Sequence, residues 1–365
     1  MKEETLRVSS PGRVCLFGEH QDYFGLPIIA AAINLRISIS GTKREDKLIN
    51  IDLPDIGDKE EFSLESELEY SRERDYLKSG VNVLRRQGIA FPSGWDCLIR
   101  GTIPINSGTA SSSALVVAWV KFLLEAAGDD RANNVEEIAE MAFLTEVAEF
   151  KEPGGKMDHF SSALGGVITI DFGEILKVKR LKNPLKEFVL ADSLQKKDTT
   201  GMLGYIKKHV LEGAASLQKK IAGFNLKSPI TQRERDKMEK LPPDVKRLLK
   251  GTLLTRDLTA KGIALFESEA FDHEQFGELL SSQHEVLRDY IRISTPKIEQ
   301  MIEASLEAGA LGAKTNGSGG GGCMFAYAPE KAESVAEALE RTGAEVHVVR
   351  IADGVRKEKG TEEEQ

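Results

Sequence analysis

The first forty residues alternate short apolar runs with turn residues. Leu6-Arg7-Val8, Arg13-Val14-Cys15-Leu16-Phe17, Ile28 to Ile33 and Arg36 to Ile39 are rich in β-branched side chains and read as four strands. The pattern then changes. Ser111 to Ala127 is apolar and rich in Ala and Leu, with Gly128 just past its end, which predicts a helix. Asn134, three positions ahead of Glu137, supplies the N-cap of a second helix running to Phe150. Pro153-Gly154-Gly155 must stop it, because proline lacks an amide donor and glycine favours turns. Val167 to Phe172 follows as a strand. Helical patterns recur at Leu203 to Ile221, Pro243 to Phe266, His273 to Tyr290 and Pro296 to Ala308. A glycine-rich turn then leads to a strand at Cys323 to Ala328, a helix at Lys331 to Thr342 and a strand at Glu345 to Ile351. Phe188 to Ala191 reads as the last strand of the first half. That places a first domain at 1–191, a second at 192–355, and a charged tail at 356–365 that is expected to fray.

A chain of 365 residues with 41% hydrophobic side chains can bury a sizeable core and suggests two domains. Lys and Arg total 49 against 58 Asp and Glu, a net charge of -9, so no general basic surface exists for nucleic acid or an anionic membrane. The expected partner is a small molecule. Cys15, Cys97 and Cys323 stand alone, without the paired spacing of a zinc site or disulfide framework, and read as reduced thiols of a cytoplasmic protein. No stretch approaches the ~20 apolar residues of a membrane helix.

Three segments carry chemistry. Pro104-Ile-Asn-Ser-Gly108-Thr-Ala110-Ser111-Ser112-Ser113 leads into the apolar helix, where a glycine and small hydroxyl residues let free amide donors converge on a phosphate. Serine hydroxyls there can also serve as oxygen ligands to Mg²⁺. Lys314-Thr-Asn-Gly317-Ser-Gly319-Gly320-Gly321-Gly322-Cys323 is wedged between a helix and a buried-looking strand. Its glycines suit close backbone approach to a ligand or another loop better than a flexible linker. Pro11-Gly12-Arg13 through Gly18-Glu19-His20-Gln21-Asp22-Tyr23 puts a cation, two carboxylates, an imidazole and a phenol at a strand end, a set able to bind several sugar hydroxyls.

In this order the three segments resemble the motifs of the GHMP kinase superfamily. The first resembles the galactokinase signature G-R-V-x-L-x-G-E-H-x-D-Y, and the serine loop is similar to the family's ATP-phosphate loop. A fourth match, Glu146 through Gly155-Lys156-Met157-Asp158-His159-Phe160, is similar to the galactokinase G-x-M-D-Q-F helix. The resemblance implies an α+β, two-domain GHMP kinase fold, with an N-terminal domain like ribosomal protein S5 domain 2 and a ferredoxin-like C-terminal domain. It implies ATP and Mg²⁺ as cofactors and Asp158 as the catalytic acid/base, with Arg13 beside it. Glu19, His20, Asp22, Tyr23 and Gly155 would bind the sugar. Gly108, Ala110, Ser111, Ser112, Ser113, Gly317, Gly319 and Gly320 would hold the nucleotide, and Ser112 and Glu146 the metal, with Glu149 as a second candidate.

Departures from the galactokinase pattern leave the acceptor open. Leu16-Phe17-Gly18-Glu19-His20 and Gly312-Ala313-Lys314 are shared with mevalonate kinases, Phe24-Gly25-Leu26 replaces the usual glycine pair, and Lys156 stands where an apolar residue is usual. Lys156 can point to solvent or attract the carboxylate of a uronic acid. Galactose is the expected acceptor. Uronic acids, N-acetylhexosamines and mevalonate are the alternatives, together with a non-catalytic sugar sensor on the same fold.

Overall fold

The computed structural model describes residues 5–105, 107–173, 175–196 and 199–359. The four amino-terminal runs join into two long strands, β1 (Thr5–Phe17) and β2 (Ile28–Lys43), paired antiparallel. A register shift between Pro11 and Arg13 absorbs the break that the sequence pattern suggested at Gly12. A hairpin of β3 (Leu48–Leu53) and β4 (Asp58–Ser63), helix α1 (Tyr76–Arg86) and β5 (Trp95–Gly101) come next. They are followed by α2 (Ser111–Ala127), α3 (Val135–Phe143), α4 (Met157–Leu164), β6 (Val167–Phe172) and β7 (Leu176–Leu181).

The first sheet runs β4-β3-β5-β2-β1, with β6 and β7 continuing from the start of β2. Its long strands β1 and β2 bury Val14 to Phe17 and Ile28 to Ile33 because both faces are covered there. Cys15, Ile28 and Ala30 face a core shared with α1 to α4. Val14, Leu16, Ile29 and Ala31 face the other way, onto Phe188, Phe276 and Phe325 of the second half.

The second half holds β8 (Phe188–Asp192), α5 (Thr199–Gln218), α6 (Gln232–Met238), α7 (Pro243–Glu267), α8 (His273–Val286) and α9 (Pro296–Glu307). It continues with β9 (Gly312–Thr315), β10 (Cys323–Tyr327), α10 (Ala332–Arg341) and β11 (Glu345–Val349). Its sheet is antiparallel in the order β11-β8-β10-β9. Two expectations are corrected here. Phe188–Asp192 is not the last strand of the first half: all five residues pair with β10 on one side and β11 on the other, so the change of sheet precedes Phe188. Nor does the tail fray from Arg356, because β12 (Arg356–Lys357) pairs with Ser9 and Val8 of β1, and the Glu358 amide donates to the Arg7 carbonyl. Residues 360–365 lie outside the described residues.

Candidate active site

A cavity of about 480 Å³ lies between the two halves, within the range of small-ligand pockets. Arg13, Glu19, His20, Asp22, Tyr23, Gly108, Ala110, Ser111, Ser112, Ser113, Glu146, Gly155, Asp158 and Gly317 all line it, so residues from every motif meet at one place. Gly319 and Gly320 do not. Their missing side chains would point at Ile293 and Met202, so these two glycines shape the turn behind the site.

The serine loop is built by backbone geometry. Gly108 has φ 93°, and Ala110, the residue before α2, takes the left-handed conformation with φ 61°. A non-glycine residue held there costs energy and marks a position the surroundings over-determine. Ser111 to Ser113, whose amides begin α2 and have no partner within it, line the cavity at the positive end of the helix dipole. The glycine turn braces this loop from behind. Added Cβ atoms would lie 2.6 Å from the Gly108 oxygen at Gly317 and 2.4 Å from the Ser107 oxygen at Gly322. Asn316 ties the pieces together, donating to the Gly108 carbonyl at 2.9 Å and accepting from the Cys15 amide at 2.9 Å.

Asp158 sits on the first turn of α4 and is held by a two-pronged ion pair, with Arg13 Nε to Oδ1 and Nη2 to Oδ2 both at 2.8 Å. Arg13 also donates to the Gly108 carbonyl, linking Asp158 to the serine loop. Burial opposes the charge of Arg13, and Asp158 more than offsets this, so the guanidinium stays protonated.

Asp22 packs against Gly155, where any Cβ would fall 2.0 Å from its Oδ2, so only glycine fits. Burial first, and the neighbouring Asp158 second, push the Asp22 carboxyl up to about 6 against the pull of the Tyr23 and Met157 amides. A carboxyl raised in the fold stabilises the protein fully below its unfolded value and loses that contribution as pH rises through about 6. Asp22→Asn removes this dependence. Thermal or urea melts should show wild type losing on the order of 1 kcal/mol relative to the variant between pH 5 and pH 8. A pH-independent difference would contradict the environment described for Asp22.

His20, in the left-handed region at φ 61°, has Nδ1 2.8 Å from the Tyr23 hydroxyl and Nε2 3.2 Å from the Ser318 carbonyl. Glu19 forms a wholly buried ion pair with Lys314, which also donates to the Cys15 and Thr315 carbonyls at 2.9 and 3.1 Å. Its second oxygen, Oε2, has no partner among the described residues. Lys314 was not expected in this role. The signal was a lone lysine in a buried-looking strand, which needs a carboxylate partner.

Glu146 lies on a π turn, Leu144–Ala148, that continues α3. Burial works against its charge, yet His159, with the Ser112 and Ser113 hydroxyls, holds its carboxyl below the usual range. Glu149 instead pairs with Arg86 and Tyr70 on the outer face, away from the cavity. Lys156 is also turned away. Its Nζ bonds both oxygens of Glu140 at 2.7 Å and lies 5.1 Å over the Phe143 ring. Lys156→Met should leave the ratio of kcat/KM for galacturonate over galactose within about twofold of wild type, as for a surface substitution. A selective loss of the uronate would show that Lys156 reaches the acceptor.

The remaining wall went unrecognised from sequence. Leu53 and Ile56 of the β3–β4 hairpin, with Ile99, Ile103, Ile105 and Leu115, form an apolar end, and Tyr76, Arg74 and Glu152 close its side. Arg74 Nε reaches Glu152 at 2.6 Å.

The serine loop at the start of α2, the guanidinium-held Asp158 and the Glu146 carboxylate beside the loop serines meet in this one cavity. Three family models match the chain: the galactokinase galactose-binding signature over residues 1–43, the GHMP kinases N terminal domain over 75–166, and the GHMP kinases C terminal over 263–345. The chain belongs to the GHMP kinase superfamily, whose members are ATP-dependent kinases, and it has their two-domain fold. It is 29% identical over 359 residues to a mevalonate kinase of Thermococcus gammatolerans, covering 95% of this chain and 97% of that one. A galactokinase of Actinobacillus succinogenes is 28% identical over 359 residues, covering 94% and 91%. The Lactococcus lactis galactokinase complexed with galactose superposes with a TM-score of 0.81 at 23% identity, covering 97% of this chain and 95% of that one. For the Methanococcus jannaschii mevalonate kinase the TM-score is 0.73 at 19% identity, covering 97% and 100%.

Proposed function

We propose that the protein transfers the γ-phosphoryl group of ATP to a monosaccharide, with galactose as the acceptor and its anomeric hydroxyl as the nucleophile. Supporting this, the cations lining the described cavity are already paired. Arg13 is held by Asp158, Arg74 by Glu152 and Arg100 by Asp55. No described cation is reserved for the carboxylate of mevalonate, whereas Glu19, His20, Asp22 and Tyr23 suit a neutral polyol. The galactose-binding signature spans these same residues. Mevalonate is the competing acceptor, because mevalonate kinases match at similar identity.

In this scheme the amides of Ser111 to Ser113 hold the triphosphate, and the apolar wall of Leu53, Ile56 and Ile103 takes the base. Asp158 accepts the hydroxyl proton as the sugar oxygen bonds to phosphorus and the bond to the β-phosphate oxygen breaks, releasing ADP. Arg13 orients Asp158 through its two-pronged ion pair. Among the described residues no cluster of three or more His, Cys, Asp or Glu forms a protein-only metal cage. The pairing of Glu146 with Ser112 instead fits Mg²⁺, which takes few protein oxygens besides phosphates and water and would offset the charge of the transferred group. Phosphorus NMR of the product from galactose and ATP tests the assignment. An anomeric sugar phosphate is expected, and ATP hydrolysis without a sugar phosphate would overturn it.

A further inference from the structure

Asp158 and His159 are consecutive on the first turn of α4 but face different partners. While Asp158 turns to Arg13, His159 Nε2 lies 2.7 Å from Glu146 Oε2, with both members of the second pair buried. Nδ1 has no partner among the described residues, and the ring packs edge-on against Phe143 with centroids 5.8 Å apart. Glu146 is therefore the one hydrogen-bonding group that holds this imidazole among the described residues.

The segment that presents Glu146 is also locked. The Glu149 amide reaches back five residues to the Leu144 carbonyl at 3.0 Å, and Ser79 Oγ of α1 donates to the Thr145 carbonyl at 3.0 Å. Single π turns of this kind recur where a helix must re-aim a functional side chain. Here the turn brings Glu146 beside the hydroxyls of Ser112 and Ser113. A carboxylate on a flexible stem would still swing between these neighbours unless a rigid donor held one of its oxygens. The G-x-M-D-Q-F pattern has glutamine after the aspartate, an amide donor, where this chain has a ring N–H.

We propose that His159 is a positioning residue for the metal-side carboxylate: its Nε2–H fixes one oxygen of Glu146 and keeps the group facing the serine loop. One helix start thereby sets both the acid that takes the sugar proton and the carboxylate on the phosphate side, which fixes their separation. The inference rests on the proposed role of Glu146 toward Mg²⁺.

Binding of Mn²⁺, an oxygen-seeking stand-in for Mg²⁺, to the full chain with a non-hydrolysable ATP analogue tests this without turnover, by the EPR signal of free Mn²⁺. His159→Phe keeps the ring and removes the donor, and should weaken Mn²⁺ by roughly 10- to 100-fold, as loss of an outer-shell partner does. His159→Gln restores an N–H and should return affinity to within a few-fold of wild type, with the KM for sugar unchanged in both. Weak binding in Glu146→Gln alongside normal binding in His159→Phe would overturn the positioning role and leave Glu146 in place. Normal binding in Glu146→Gln would remove Glu146 from the metal site, and the inference with it. Should the Phe variant not fold, His159→Leu serves the same comparison, and weak binding in His159→Gln at an unchanged melting temperature overturns the proposal.

Discussion

Asp158→Asn is expected to lower kcat by roughly 10²-fold or more while ATP affinity stays within a few-fold of wild type. Asparagine keeps the shape of the carboxylate and one acceptor for Arg13, but it cannot take the hydroxyl proton. It also removes the charge that pairs with a buried guanidinium. Arg13 is tied to the Gly108 carbonyl as well, so the phosphate loop keeps one of its supports and nucleotide binding persists. Steady-state kinetics with a separate nucleotide-binding titration resolve the two effects. Near-normal turnover would remove Asp158 from the chemistry.

The second large effect is expected at Gly317. Alanine there would keep a left-handed φ of 72° and set a methyl group 2.6 Å from the Gly108 oxygen, a backbone atom that cannot rotate away. Gly108 is also where Arg13 and Asn316 attach, so moving it displaces the amides facing the phosphates and the guanidinium behind Asp158 together. Misplacement near 1 Å at such a site costs on the order of 100-fold in rate, and kcat/KM for ATP should fall by about that much in Gly317→Ala. Gly57→Ala is the control. Its φ is 65°, but its Cβ meets nothing within 4 Å, so it carries the backbone strain alone. Equal losses in both variants would mean that strain, and not contact with the phosphate loop, accounts for the result.

What the sequence revealed and what it hid follow from physical causes. Local signals were sufficient for α2, whose span from Ser111 to Ala127 is bounded by the serine cluster and Gly128, and for β6. The site motifs were legible because they are dense polar groups next to strand ends and glycines, and such groups have few structural reasons to be there. Long-range pairing was not legible. β8 reads as any buried strand, and only its hydrogen bonds to Cys323–Tyr327 and Glu345–Val349 show which sheet it joins. The hairpin bearing Leu53 was missed although Ile49-Asn50-Ile51-Asp52-Leu53 alternates strictly; only its partner, Asp58 to Ser63, is too polar to show a strand pattern. Lys314 and His159 were visible as residues, but their partners Glu19 and Glu146 lie 295 and 13 positions away, and no spacing rule connects them.

The central claim is that the acceptor is a sugar, and one comparison tests it most directly: kcat/KM for galactose and for mevalonate, measured with the same enzyme at fixed MgATP. An acceptor end with Asp22 beside Asp158 and its lining cations already paired should reject a carboxylate. Galactose is predicted to exceed mevalonate by roughly 100-fold or more. Mevalonate as the better acceptor would contradict the sugar assignment while leaving the phosphoryl-transfer site intact.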